Sequence, residues 1–75
     1  MSEFDLVVLQ EDAADGRLKM GDVGTILTVY NEGQAFEVEF VTLTGEAVAI
    51  ETLLAHQIRP VRPSEVMAVR DMAVQ

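Results

Sequence analysis

Two glutamates in an alternating segment are the first residues whose types and spacing could support chemistry. Glu37 and Glu39 lie in QAFEVEFVT, residues 34–42, where apolar residues occupy the positions between and beside them. Paired carboxylates can act as a general acid and a general base. Because successive side chains of a strand point to opposite faces, the same pattern is typical of a strand with one solvated face and one buried face. We therefore interpret the two glutamates as the solvated side of a half-buried strand.

Other residue types that commonly carry catalysis are scarce. His56 is the only histidine, there is no cysteine, and Ser2 and Ser64 are the only serines. One histidine without cysteine does not make the usual zinc cluster, and neither serine stands in a nucleophile-elbow motif. We therefore expect no catalytic residues and no metal site, and the sequence predicts a protein that is not an enzyme.

Two glycine- and aspartate-rich stretches resemble ligand loops only superficially. Gly21-x-x-Gly24 joins a turn to a β-branched run, so it lacks the helix N-terminus that binds phosphate. Asp12, Asp15 and Gly16 do not follow the alternating carboxylate pattern of a calcium loop. We expect no cofactor, and no small-molecule substrate is evident.

The composition indicates one small acidic domain. The 75 residues include 13 acidic and 5 basic residues, which gives a net charge of −8. This charge opposes binding to phosphate backbones and to anionic membrane surfaces. Hydrophobic residues make up 49% of the chain before its 5 glycines are counted, and the total therefore exceeds the roughly 45–50% usual in soluble domains. The excess favours apolar surface that contacts a partner or a second copy.

Neither a membrane span nor a signal peptide is predicted. No apolar run approaches the roughly 20 residues that a membrane-spanning helix needs, and the first residues, MSEFDLVV, lack a basic segment. We expect a cytoplasmic location.

The stretch 18–30, LKMGDVGTILTVY, organises the predicted fold. Its turn at Gly21 and Asp22 leads into a β-branched run with apolar residues on both faces. A bulge or strong coiling of the strand near Gly24 would explain why apolar residues occur on both faces. So would a strand that contacts the core along one half and a partner along the other, which makes Tyr30 a candidate contact.

The remaining patterns predict five short antiparallel strands. A long polar loop follows the first strand, and a single helical turn over residues 54–57 precedes the last. In the fourth strand we expect Val48 and Ile50 to share one face, with Glu51 on an outer face. The order is that of a small all-β SH3-like barrel over residues 4–62. The predicted strands are residues 4–9, 23–30, 34–42, 47–53 and 58–61.

The segment 63–75, PSEVMAVRDMAVQ, differs in character from the barrel. Ser64 could cap a helix, and apolar residues then recur at spacings of three and four. Because an isolated helix of about ten residues is marginal in water, a loose tail and a short amphipathic helix both remain open. The candidate partner-binding residues are Tyr30, Val66, Met67, Val69 and Met72.

Four blocks of the sequence carry a family resemblance over residues 5–61. They are Asp5-Leu6-Val7-Val8-Leu9, Leu18-Lys19-x-Gly21-Asp22-Val23-Gly24-Thr25, Ala35-Phe36-Glu37-Val38-Glu39-Phe40-Val41 and Gln57-Ile58-Arg59-Pro60-Val61. With these blocks the chain resembles the small bacterial family named domain of unknown function 4926. The resemblance implies an SH3-like barrel without assigned activity or known catalytic residues. It also implies gene neighbours that encode partner proteins, some of them toxin-like, and so hints at a protein partner.

These observations favour a non-catalytic protein-interaction module that self-associates or binds a protein partner. The alternatives are an acidic regulator or antitoxin-like protein, and an accessory subunit of an enzyme. Nucleic-acid binding would require retention on RNA or DNA at physiological salt, and the charge predicts none.

The alternation in residues 34–42 generates a stability prediction. Phe40→Ala should lower the free energy of unfolding by about 3–5 kcal/mol, because it removes a large core side chain. Glu39→Ala, on the solvated face, should cost less than about 0.5 kcal/mol. Urea unfolding of both variants measures the two values, and the reverse order would show that the faces are misassigned.

Overall fold

The computed structural model describes residues 1–73 and shows five antiparallel strands in one sheet. Their order across the sheet is β4-β3-β2-β1-β5, so β1 to β4 form a meander and β5 returns to pair with β1. The all-β prediction is confirmed, and the strand positions agree closely with those expected. The strands are β1 Leu6–Leu9, β2 Val23–Tyr30, β3 Ala35–Val41, β4 Ala47–Leu54 and β5 Ile58–Pro60.

Helical structure in the described residues is confined to three-residue 3₁₀ turns. One of them, Ala55–Gln57, is the predicted helical turn before the last strand, and another, Asn31–Gly33, connects β2 to β3. All three residues of the Asn31–Gly33 turn have positive φ, with 94° at Gly33, which glycine adopts without steric cost. Among residues 1–73 there is no helix long and apolar enough to cross a membrane.

The short link between β4 and β5 requires the sheet to curl. The two strands lie at opposite edges of the sheet, which would be about 19 Å apart if the sheet were flat. Only the turn Ala55–Gln57 separates them, and four residue steps span at most about 14 Å. The sheet therefore bends its two edges toward each other, as a barrel does. The more specific assignment to the SH3-like class stays a prediction.

One face of the curled sheet forms the hydrophobic core. Phe36, Val38 and Phe40 are all almost fully buried, whereas Glu37 and Glu39 are half-buried on the other face. The predicted alternation of β3 is therefore confirmed. The core cluster consists of Val7, Leu9, Leu18, Ile26, Phe36, Val38, Phe40, Leu53 and Ile58.

The predicted faces of β4 are wrong for two residues. Residues opposite each other in an antiparallel pair share a face. Ile50 pairs with Glu39 and is exposed, whereas Glu51 pairs with Val38 and lies on the core side at the edge of the sheet. The cause is a register shift beside Phe40 and Val41, since the extra residue changes the alternation between Val48 and Ile50. A pattern read along β4 alone does not reveal this shift.

The irregularity in β2 lies three residues beyond its expected position. The β2–β3 register shifts between Ile26 and Thr28, which leaves Leu27 unpaired and places both Ile26 and Val29 on the core side. The bulge therefore explains why apolar residues of β2 occur on both faces. At Gly24 the pairing with β1 is regular, so the prediction of a bulge near Gly24 is corrected to Leu27.

Gly24 instead allows a close approach between β2 and β3. A Cβ atom at this position would lie 2.6 Å from Val38 Cγ1, 2.8 Å from Phe40 Cε2 and 3.0 Å from the carbonyl oxygen of Glu39. Glycine in a strand is typical of such a place. The absence of a side chain lets the Phe40 ring cover the backbone of β2.

The segment 63–73 contains no helix, so the prediction of a short helix is wrong for these residues. The remaining residues of the predicted segment, 74 and 75, lie outside the described part of the chain. A turn at the start of the segment is closed by a hydrogen bond from the Glu65 N–H to the Arg62 carbonyl oxygen. Ion pairs to Arg59 of β5 and to Asp22 in the turn before β2 hold Glu65 and Arg70 at separated points. Because a short helix is marginal by itself, these external contacts decide the conformation.

The close approach at Gly24 generates a prediction. Gly24→Ala should lower the free energy of unfolding by about 1–3 kcal/mol, because the new methyl group overpacks the core against Val38 and Phe40. Thermal or urea unfolding measures the effect. Thr28→Ala, on the outer face of the same strand, is the matched control and should stay within about 0.5 kcal/mol. Equal stabilities of the two variants would contradict the close approach.

Candidate functional site

Residues 61–73 form a segment that runs back across the sheet, which we call the strap. Its first anchor joins Glu65 to Arg59 of β5, where two guanidinium nitrogens donate to the two carboxylate oxygens at 2.9 and 2.6 Å. The same carboxylate accepts a hydrogen bond from the Arg62 backbone N–H at 2.7 Å. These contacts lower the pKa of Glu65 from 4.5 to about 2, chiefly through the hydrogen bonds from Arg59. The start of the strap is thus fixed beside β5.

The second anchor joins the strap to the turn that precedes β2. Arg70 donates to both carboxylate oxygens of Asp22, with an Nε–Oδ1 distance of 3.1 Å, and to the carbonyl oxygen of Arg17 at 3.1 Å. Asp22 also accepts the backbone N–H of Lys19 at 2.9 Å. One carboxylate therefore stabilises the turn and binds the strap at the same time.

Between its two anchors the strap borders an apolar groove, which we call the strap groove. Its volume is about 340 Å³, and its lining includes core side chains such as Leu18 and Phe40. The surrounding apolar side chains are unusually exposed. Exposed fractions are 69% for Met20, 68% for Leu43, 92% for Val66 and 68% for Met67. Exposed apolar residues that cluster around one concavity mark a contact site more often than isolated ones do.

The structure brings together some of the predicted partner-binding residues and separates others. Val66, Met67 and Met72 line the strap groove, whereas Val69 is exposed but is not among its lining residues. Tyr30 lies at the opposite end of β2 from the groove, where its hydroxyl donates to Glu37 Oε2 at 3.3 Å. An eight-residue strand spans about 25 Å, so Tyr30 does not belong to the same site.

Sequence reasoning missed the groove residues that come from the body of the domain. Met20 stands in the turn before β2, and Leu43 stands in the turn between β3 and β4. A large apolar side chain in a tight turn is a usable signal, because turns lie at the surface and seldom bury their side chains. Only the folded chain shows that the two turns lie beside the same groove.

The residues first considered for catalysis do not converge. Glu37 and Glu39 lie on the outer face of β3, and His56 is exposed in the turn after β4. In the part of the chain that the structure describes, no group of three or more histidine or acidic side chains is arranged to hold a metal ion.

Comparison with known proteins identifies the body of this domain. Residues 3–60 match the family model described as Domain of unknown function (DUF4926). The chain belongs to this family. The match includes all five strands and the groove residues Met20 and Leu43, and the strap follows it in the chain. No curated protein and no solved structure matches the chain significantly.

The first anchor generates a pH prediction. Because the folded pKa of Glu65 is lowered to about 2, the anchor's stabilising contribution is complete above about pH 4.5 and is lost as the pH falls through about 2. An NMR titration of the Glu65 carboxyl carbon should give a midpoint near 2, and Arg59→Gln should raise it.

Arg17→Gln removes a guanidinium that does not contact Glu65, and it is the control for this titration. It should leave the midpoint of Glu65 unchanged. A midpoint near 4.5 in the unmodified chain would contradict the paired hydrogen bonds between Glu65 and Arg59.

Proposed function

We propose that this protein is a non-catalytic protein-interaction module that binds an apolar segment of a partner protein in the strap groove. The observation that carries the proposal is the cluster of exposed side chains around that groove: Met20, Leu43, Val66 and Met67.

The size of the cluster suits a binding surface. Covering one exposed side chain of this kind contributes about 1.5–3 kcal/mol, whereas association costs at least about 4 kcal/mol in lost freedom of motion. One exposed methionine therefore does not bind a partner, but several around a preformed groove do. The two anchors of the strap hold Val66 and Met67 close to the body, which reduces the ordering cost of binding.

The charge of the protein favours a different protein over a second copy as the occupant. Two chains that each carry a net charge of −8 repel each other. A partner with basic residues beside its apolar segment is attracted instead, and its association should weaken as salt rises. The same property supports a role as an acidic regulator of a basic partner, of the kind expected for an antitoxin-like protein or an accessory subunit.

A peptide-display selection against the immobilised protein supplies the probe that tests this proposal. The selected peptides should carry two or more large apolar residues, and fluorescence anisotropy measures their affinity. Met20→Ser and Met67→Ser should each weaken binding about tenfold or more, because each removes a central apolar contact.

Leu6→Ser is the matched control, because Leu6 is an equally large exposed side chain on the outer face of β1. It should leave the affinity unchanged, and sedimentation should show a monomer at tens of micromolar. Peptides that bind the Met20 and Met67 variants as tightly as the parent would refute the groove as the site. A dimer that dissociates on Met20→Ser would show that a second copy occupies it.

A further inference from the structure

β4 is an edge strand with few of the features that protect such edges. It has eight residues and pairs only with β3 among the described strands. The opposite edge, β5, has three residues and contains Pro60. Short edges, prolines and lysines discourage pairing with another chain. β4 contains no proline and no lysine, and its single inward charge is Glu51.

The direction of the β4 backbone groups follows from two hydrogen bonds. Ala55 N donates to Gln34 O at 3.1 Å, on the side of β3. Backbone groups alternate in direction along a regularly paired strand, so those of Ile50, Thr52 and Leu54, which follow the register shift, point away from β3. One contact agrees with this assignment, because Leu54 N donates to Gln57 Oε1 at 2.8 Å. At the shift itself, Arg17 Nη2 donates to Val48 O at 3.0 Å.

The free backbone groups are therefore concentrated at Ile50 and Thr52. Near Val48 the edge is covered by Arg17, with Arg70 and Met72 of the strap nearby. At the other end of β4, the Leu54 N–H donates a hydrogen bond to the side-chain oxygen of Gln57. Between these points, both N–H and C=O of Ile50 and Thr52 face outward without a hydrogen bond to any other described residue. We call residues 50–52 the open edge.

The hairpin that carries the open edge has only acidic charges, and the nearest basic side chain, Arg17, lies beyond it at Val48. Residues 20–58 contain six acidic residues and no lysine or arginine. On the outer face, Glu39 is paired with Ile50 and Glu37 with Thr52, while Glu51 points to the other side of β4. None of these three glutamates forms an ion pair in the described part of the chain.

We infer that the open edge binds an extended, basic segment of a partner protein as an additional antiparallel or parallel strand. The outward groups of Ile50 and Thr52 supply the main-chain hydrogen bonds of such β-augmentation. Ile50 and Leu54, which are 54% and 51% exposed, supply apolar contacts on the outer face. Lysine or arginine side chains of the added strand reach Glu37 and Glu39 across β4. This surface is separate from the strap groove, so the inference goes beyond the proposed function.

A second copy of this chain fits the open edge poorly. Pairing β4 with β4 of another copy would place Glu39 and Glu51 of both chains near the same seam. At physiological salt, charges within about 8 Å repel with little screening. The outcome is different for a basic strand, because its charges complement those of the edge.

An eight-residue peptide of alternating lysine and valine, with blocked ends, is the probe for this inference. NMR chemical shifts and amide hydrogen exchange report its position on the full chain. Saturation with the peptide should slow exchange of the Ile50 and Thr52 amides at least tenfold. The same peptide with N-methylated alternate residues should bind at least tenfold more weakly, because it lacks the required donors. A peptide with glutamate in place of lysine should not bind measurably.

Thr52→Pro tests the open edge from the side of the protein. It removes an outward N–H without removing a β3–β4 hydrogen bond, as prolines on edge strands do. It should weaken peptide binding at least tenfold, whereas Thr52→Ala, which keeps the N–H, should not. If Thr52→Pro fails to fold, the comparison of methylated and unmethylated peptides on the unmodified chain decides the question.

Three results would overturn the inference. The first is equal binding of the methylated and unmethylated peptides. The second is a set of peptide-induced chemical shift changes confined to Met20 and Met67. The third is exchange of the Ile50 amide that slows as the protein concentration rises in the absence of peptide. The last would identify a β4–β4 dimer. Met20→Ser should leave lysine–valine peptide binding unchanged, so failure of the strap groove and failure of the open edge are distinguishable.

Discussion

The close packing of β2 against β3 at Gly24 is the constraint on which the rest of the structure depends. The Phe40 ring and Val38 occupy the space that any side chain at position 24 would need. This packing joins the central strand to the strand that carries most of the aromatic core. This close packing and the bulge at Leu27 allow the sheet to curl. The curl brings the edge strands β4 and β5 close enough for one short turn to link them. In a domain of 75 residues, one such contact affects a large share of the core.

The curl also determines where the surface residues meet. The turn containing Met20 and the turn containing Leu43 come to border one groove. The strap completes the groove because Arg59 of β5 binds Glu65 and Asp22, in the turn before β2, binds Arg70. These ion pairs are partly exposed, and such pairs contribute modestly to stability. Their role here is positional, since they hold an otherwise marginal segment in one path across the domain.

Charge is distributed unevenly over this framework. All five basic residues lie in 17–19 or 59–70, close to the strap and its anchors. The β3–β4 hairpin carries only acidic charge, and its outer strand has an open backbone edge. The molecule therefore has two dissimilar surfaces: an apolar groove bordered by paired charges, and an acidic edge with unsatisfied main-chain groups. The two proposed contacts therefore involve separate surfaces of the molecule.

The sequence by itself determined the strands and the buried face of β3, because alternation at Phe36, Val38 and Phe40 is a local property with period two. It also identified the family through blocks within residues 5–61. The positions of the bulge at Leu27 and the register shift beside Phe40 were decided by tertiary structure, because they depend on how neighbouring strands pair. For that reason Ile50 and Glu51 were assigned to the wrong faces. The path of residues 63–73 likewise depended on distant partners. The apolar spacing left both a loose tail and a short helix open, because Arg59 and Asp22, which hold Glu65 and Arg70, lie outside that segment.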